Sequence, residues 1–364
     1  MSELILTMQA SGPTPGSGEK TCYLNAGGLL CIKDAAGAEV TLAPVHNLFA
    51  KADPASVAFS KTGSGTASIK AGTYVDVAGT LITFSAATAI TMPTLTAGTD
   101  YAIYVCTDGT LRADANFSAP TGYTTANSRK IGGFHYAPGA GAAAQAGGDT
   151  TPQINAYSLW DLKFKPACTD PRGMVLVAGG FWSDIYLLGV NHLTDGTSKY
   201  NVTIADGSSP PKIPTDFGGD GSTAYTVLDW WVGAEVLRAH GKRPPTYGEF
   251  AALAYGTTEA SSIGADPGST TWAATYISKW GCAQVSGTMW QWGADFGGGA
   301  AAAGWVATPR SRGSSYQLPN AVFFGGDWGN ASVSGSAASD WLYSPSSSYV
   351  NIGVRGVCDH LILD

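Results

Sequence analysis

The sequence is poor in charge: Asp, Glu, Lys and Arg supply 13 % of its 364 residues, with a net charge of −7. No Lys/Arg stripe interleaved with aromatic residues occurs, so the footprint that a phosphate backbone requires is missing and no nucleic acid is expected as a partner. Long apolar runs are absent too. None reaches membrane-spanning length, and the opening MSELILTMQASGPTPG lacks the apolar core of a signal peptide. A chain made in the cytoplasm, without a signal peptide and without membrane insertion, is expected. The six cysteines (Cys22, Cys31, Cys106, Cys168, Cys282, Cys358) form no C-x-x-C pair and no Cys/His spacing suited to zinc, and they read as free, mostly buried thiols. No G-x-S-x-G motif is present, and the turns at Asp206-Gly-Ser and Asp216 to Asp220 lack a full set of oxygen ligands. No catalytic residue, metal site or cofactor is expected.

What the chain does contain is turns. Glycine contributes 48 residues, and short alternating segments broken at Gly and Asp-Gly positions read as a mainly β protein with a C-terminal α+β part. Residues 1–46, with TCYLNAGGLLCIKDAAGAEVTLAP, are too few to bury a core alone and imply packing against copies of themselves. Residues 47–155 carry strand after strand (SVAFSKTG, ASIKAGTYVDVAGTLITFSA, DYAIYVCTDGTLRA, RKIGGFHYA) and read as a β-sandwich. The aperiodic PGAGAAAQAGGDTT, 138–151, reads as an exposed loop or linker before a third domain, 156–364. In that third domain TAYTVLDWWVGAEVLRAHG (223–241) shows helical periodicity with Gly241 as its stop. In PPTYGEFAALAYG, Thr246 and Glu249 stand at capping-box spacing and Gly256 can close the helix. Nine of the eleven tryptophans lie from Trp230 onward.

Three signals then follow in order: GKRPPTYGEFAALA (241–254), SGTMWQWGADF (286–296), and FGGDW (324–328) with GVRGVCD (353–359). The series resembles the formylglycine-generating-enzyme type of C-type lectin fold. The enzyme version would imply a redox-active or copper-binding cysteine pair near the C-terminal end. Cys282 and Cys358 stand far apart in sequence, so the resemblance is to the scaffold and an oxidase is not expected. A calcium-dependent lectin would imply Glu-Pro-Asn or Gln-Pro-Asp, which Gln317-Leu-Pro-Asn320 does not match.

A second resemblance spans nearly everything beyond residue 45. KADPASVAFSKTG, SAPTGY, RKIGGFHYAPG, DPRGMVLVAG, DIYLLGVNHLTDGTSKYNVTIADGSS and RGVCDHLIL resemble the major tropism determinant family, the variable proteins of phage diversity-generating retroelements. The resemblance implies a homotrimer at phage tail-fibre tips, hence a virion component that leaves the cell by lysis. It also implies an N-terminal β-prism-like segment, a central β-sandwich and a C-type lectin domain that binds a bacterial cell-surface receptor protein. The variable region would span about 324–351. Carried over position by position, its receptor-contacting residues are Asp327, Gly329, Asn330, Ala331, Val333, Asp340, Leu342, Tyr343, Ser347, Tyr349, Val350 and Asn351. Between them stand Gly325, Gly326, Trp328, Ser332, Gly335, Trp341, Pro345, Gly353 and Arg355, which look invariant. Randomising the two adenines of an asparagine codon yields no Lys, Glu, Gln, Met or Trp, and none of the twelve positions holds one.

Tyr, Ser, Gly and Asn compose adaptable paratopes, with Tyr343 and Tyr349 as expected anchors. Trp290 and Trp292, two apart on a strand, face one side and read as core. Asp359 and His360 point to opposite faces and read as structural. Arg355 is expected to meet a carboxylate or backbone carbonyls. The alternatives are a glycan-binding lectin module, an oxidase, or a tail component indifferent to substitution at the twelve positions.

Overall fold

The computed structural model describes residues 12–24, 30–41, 48–141, 145–300, 304–307, 314–316 and 319–363. Strands Lys20–Leu24, Leu30–Asp34 and Glu39–Thr41 form an antiparallel meander. Its second turn closes because Asp34 Oδ1 accepts from the Ala36 and Ala38 amides while Gly37 takes a positive φ of 83°. Among its described residues the buried side chains are Tyr23 and Cys31, so this sheet contributes little core of its own.

From Phe49 the alternating segments close two small sheets, Phe49–Ala50 with Thr73–Val77 and Thr80–Phe84, and Phe59–Lys61 with Ala67–Ile69 and Thr88–Ala89. They pack on strands Thr99–Cys106, Leu111–Asp114 and Ser128–Ala137 around Phe59, Ile69, Val75, Ile103, Ile131 and Phe134. That third sheet does not stop there. It continues through Trp160–Asp161 and Phe164–Pro166 to the last strand, Val357–Ile362, and on to Phe181–Asp184 and Met174–Val177. One hydrogen-bonded surface therefore joins the middle of the chain to its end.

The glycine-rich stretch after Ala137 is not a free linker. Gly147 and Gly148 donate to the carbonyls of Gly256 and Ala274. A Cβ at Gly141 would lie 2.4 Å from the Lys279 carbonyl, and one at Gly147 would lie 2.3 Å from that of Ala274. The absence of side chains here permits close backbone approach, a use of glycine that composition does not distinguish from looseness.

The first long helix, Trp230–Ala239, starts seven residues later than its periodicity suggests, because the Asp229 carboxylate caps the Val232 amide and fixes the start. It ends at His240, with Gly241 at φ 71°. The second, Tyr247–Ala254, has the expected capping box between Thr246 and Glu249. Arg243 grips the same Glu249 with two hydrogen bonds of 2.6 and 2.7 Å, which explains why an arginine precedes this cap.

Arg355, fully buried, lies where the elements converge. Its guanidinium donates to the carbonyls of Asp184, Ile185 and Ala283 and to Gln291 Oε1. Of the two expected partners the carbonyls are the observed ones. Beside it Lys242 and Asp184 form a buried pair, with Lys242 also donating to Thr197 Oγ1.

Two predictions follow from this packing. Arg355→Ala takes the buried donor from the Ala283 carbonyl and from Gln291 Oε1, and leaves the Asp184 and Ile185 carbonyls only Ser183 Oγ and the Ala283 amide, so unfolding free energy should fall by about 3–5 kcal/mol in urea titration. His240, 2.9 Å from His192, is held down to about 4 by burial and by the neighbouring His192 and Lys242, against the pull of Asp170. His192 is lowered by burial in the same way. A base whose folded pKa lies below its unfolded 6.5 resists protonation only when folded. Stability is therefore complete above about pH 6.5 and is lost as pH falls from there toward 4. Melting temperatures across that window should drop, and His240→Asn should flatten the drop.

Candidate functional site

Strand Pro319–Phe324 pairs with Trp290–Ala300 on one side and Ser339–Asp340 on the other. It delivers the chain into the turns that run from Gly325 to Asn351, and Ile352–Gly353 returns it parallel to Trp290–Gln291. Gly325 and Gly326 reverse the chain at φ 93° and 83°. A Cβ on Gly326 would lie 2.3 Å from Ser334 Oγ, and one on Gly335 would lie 2.1 Å from Glu259 Oε2. Gly326, left-handed and against the Ser334 backbone, fits only glycine, whereas a side chain at Gly335 would displace the Glu259 carboxylate.

The turns are held by their backbones. The carbonyls of Tyr343, Pro345, Tyr349 and Asn351 accept from the amides of Ala321, Trp230, Gly207 and Trp290. These bonds do not depend on which side chains the turns carry. Trp328 packs against Leu187, Ile204 and Met289, and Trp341 packs against the cluster containing Phe250, Val322 and Phe324. Pro345 and Gly353 are buried. Ser332 lies exposed, and nothing in the structure explains an invariant residue there.

Eleven of the twelve candidate positions reach solvent: Gly329, Ala331, Val333, Leu342, Tyr349 and Val350 are exposed, and Asn330, Asp340, Tyr343, Ser347 and Asn351 are half-buried. Leu342, at 72 %, is the most exposed large apolar residue of those described. Asp327 departs from the pattern. It is buried, its Oδ1 accepts from the Gly329 amide, its Oδ2 accepts from Asn351 Nδ2, and its own amide donates to Asn330 Oδ1. Three candidate residues thus tie the two ends of the segment together.

Six of the twelve, Asp327, Asn330, Asp340, Tyr343, Tyr349 and Asn351, line one hollow of about 350 Å³. Its wall also includes Trp290, Phe323 and Ile352, which sequence reasoning left out. Of the two strand tryptophans, Trp292 is core as expected, against Phe323 and in one buried cluster with the helix residues Val232 and Val236. Trp290 is only half-buried and forms part of the wall of the hollow. Tyr343 leans on Phe323, with ring centroids 5.2 Å apart, and Tyr349 meets Tyr343 edge-on at 5.8 Å. Glu259, also missed, holds the segment from outside by accepting from the Ser336 amide and hydroxyl.

The remaining candidates are structural. His360 Nδ1 accepts from Trp182 Nε1 at 2.9 Å and its ring abuts Phe164, while Asp359 pairs with Arg243. Asp206 and Asp220 accept from the amides two and three residues on, as ordinary turns do. The ladder that pairs Pro166 with His360 continues through Ala167 and brings Cys168 beside Cys358, where the neighbouring thiol and burial raise the Cys168 pKa. Sequence separation concealed this thiol pair, since the expected candidates were Cys282 and Cys358. The pair is buried among Met174, Trp182 and Phe164, with Cys168 Sγ 3.4 Å from Met174 Sδ. Among the described residues no group of three or more His, Cys, Asp or Glu is arranged to hold a metal ion.

The chain is 62 % identical over 329 residues to the tail fiber receptor-binding protein of Bordetella phage BPP-1, covering 88 % of this chain and 86 % of that one. The solved structure of the major tropism determinant I1 variant matches with a TM-score of 0.90 at 58 % identity over 97 % of each chain. This chain belongs to the major tropism determinant family. The U1 variant matches at TM-score 0.89 and 58 % identity over 96 % of each chain, and residues 57–161 match the family model described as the Mtd second domain. Major tropism determinants have the C-type lectin fold, so the mainly β class with a C-type lectin domain stands.

The turn geometry gives a prediction. Gly326→Ala should lower stability by about 1–3 kcal/mol through left-handed strain and the clash with Ser334, whereas Val333→Ala, two-thirds exposed, should stay within about 0.5 kcal/mol. Thermal denaturation of both variants checks this.

Proposed function

We propose that this chain is a phage receptor-binding protein that sets host tropism, acting at the tail-fibre tip of a virion by binding a bacterial cell-surface receptor protein through the twelve positions. The observation that carries the reading is the division of labour in the turns from 325 to 351. Main-chain bonds from Ala321, Trp230, Gly207 and Trp290 hold the loops, six of the twelve side chains line one hollow, and the other six positions reach solvent. Such a surface changes its contacts without changing its fold.

The same proposal includes three domains, 1–46, 47–155 and 156–364, and a homotrimer. The small buried content among the described residues of the N-terminal sheet supports its packing against other copies; the number three and the prism are what the family likeness suggests. Three displayed sites would raise effective affinity, so a weak single contact could commit a virion to a cell. Diversification by a retroelement would supply the variation.

Tyr349 is the cleaner anchor to test, because it is 49 % exposed while Tyr343 supports Phe323. Tyr349→Ala should weaken adsorption to host cells by about 2 kcal/mol, roughly thirtyfold, and leave the melting temperature within a few degrees. The double variant with Tyr343→Ala should abolish adsorption and also lose some stability. Unchanged adsorption by both would refute the assignment. Codon-by-codon sequencing of the gene's 3′ end in a population grown from one plaque should find substitutions confined to the twelve positions.

A further inference from the structure

The hollow among the turns carries a specific charge. Asp327 and Asp340 both line it, and among its described lining residues there is no Lys, Arg or His. Neither carboxylate belongs to any ion pair found among the described residues. Their hydrogen bonds come from neutral donors, the Gly329 amide and Asn351 carboxamide on Asp327 and the Leu342 amide on Asp340. Arg355, close in sequence, is fully buried with its donors committed to carbonyls and Gln291. Two negative charges thus share a recess with the rings of Trp290, Tyr343 and Tyr349. Carboxylates beside aromatic rings attract a cation twice, through charge and through the ring quadrupole. At about 350 Å³ the recess is near the lower end of ligand pockets, roughly 300–1,000 Å³, and suits a single inserted side chain.

We propose that the hollow receives a basic side chain, preferentially an arginine, presented by the host receptor. Arginine fits better than lysine because its planar guanidinium stacks on a ring while its edge donors reach a carboxylate. The receptor as the source of that side chain rests on the receptor-binding reading; the preference for a cation is a property of the hollow itself.

Nα-acetyl-L-arginine amide, titrated into the full-length chain and followed by tryptophan fluorescence and side-chain NMR shifts, tests the preference. Its neutral isostere, Nα-acetyl-L-citrulline amide, and methyl α-glucoside are the controls. Saturable binding of the arginine amide, at least about tenfold tighter than citrulline, with shifts at Trp290, Tyr343 and Tyr349, is the expected result. Asp340→Asn keeps the oxygen that accepts the Leu342 amide, so it should weaken the arginine probe about tenfold without moving the melting temperature. Equal binding of citrulline, preferential binding of the sugar, or no saturable shift with the arginine amide would overturn the proposal. Phage adsorption separates the two readings. Adsorption lost in Tyr349→Ala but unaffected by Asp340→Asn and by excess arginine amide would refute the cation and keep the receptor site. Adsorption indifferent to every one of these changes would refute the receptor site as well.

Discussion

The C-terminal half of this protein is organised around a buried guanidinium. Arg355 donates to carbonyls contributed by two separate stretches, 184–185 and 283, and to Gln291, whose own amide group reaches the carbonyls of Gln284 and Val285. A charge taken out of water is tolerated only when its donors are met, and here they are met by the backbone rather than by a carboxylate. That choice has a geometric effect. Carbonyls cannot swing away as side chains can, so the arginine fixes the relative placement of the segments that carry it. Strand Trp290–Ala300 is tied to the same arginine through the Gln291 side chain, itself held by the Gln284 and Val285 carbonyls, and it is the strand from which the turns of 325–351 are hung.

The same logic recurs nearer the surface. Where the chain must stay put, the bonds run between main-chain groups or to acceptors outside the segment 325–351, as from Ser336 to Glu259. At the twelve candidate positions, most side chains reach water or line one hollow. Asp327, Asn330 and Asn351 cross this line. They are candidate variable residues that also bond to one another, so substitution there alters the shape of the recess along with its chemistry.

Local features were legible in the sequence and long-range ones were not. The capping box at Thr246 and Glu249 is a matter of three residues and appears as read. The start of the preceding helix was misplaced because apolar periodicity continues past Asp229, while the cap, a single hydrogen bond, decides the boundary. Arg355 could be narrowed to two kinds of partner, and only the packing of distant segments chooses carbonyls. Trp290 and Trp292 share a face, as their spacing requires, but which of them reaches the hollow depends on Phe323 and Tyr343 from other parts of the chain. The neighbours Cys168 and Cys358, 190 residues apart, are joined by a strand pairing that no spacing rule anticipates. The continuity of the large sheet across residue 155 was invisible for the same reason.

That sheet has a consequence for how the molecule is made. The last strand, Val357–Ile362, lies between Phe164–Pro166 and Phe181–Asp184, so two parts of the sheet synthesised far earlier meet only through the end of the chain. Contacts of such sequence separation form late and slowly. A ribosome must translate residues 325–351 before the sheet can close, and a frameshift or early stop among them removes the strand that joins its two parts. The architecture thereby couples the two parts: a molecule in which Phe164–Pro166 and Phe181–Asp184 share one sheet has had the turns from 325 to 351 read through in frame.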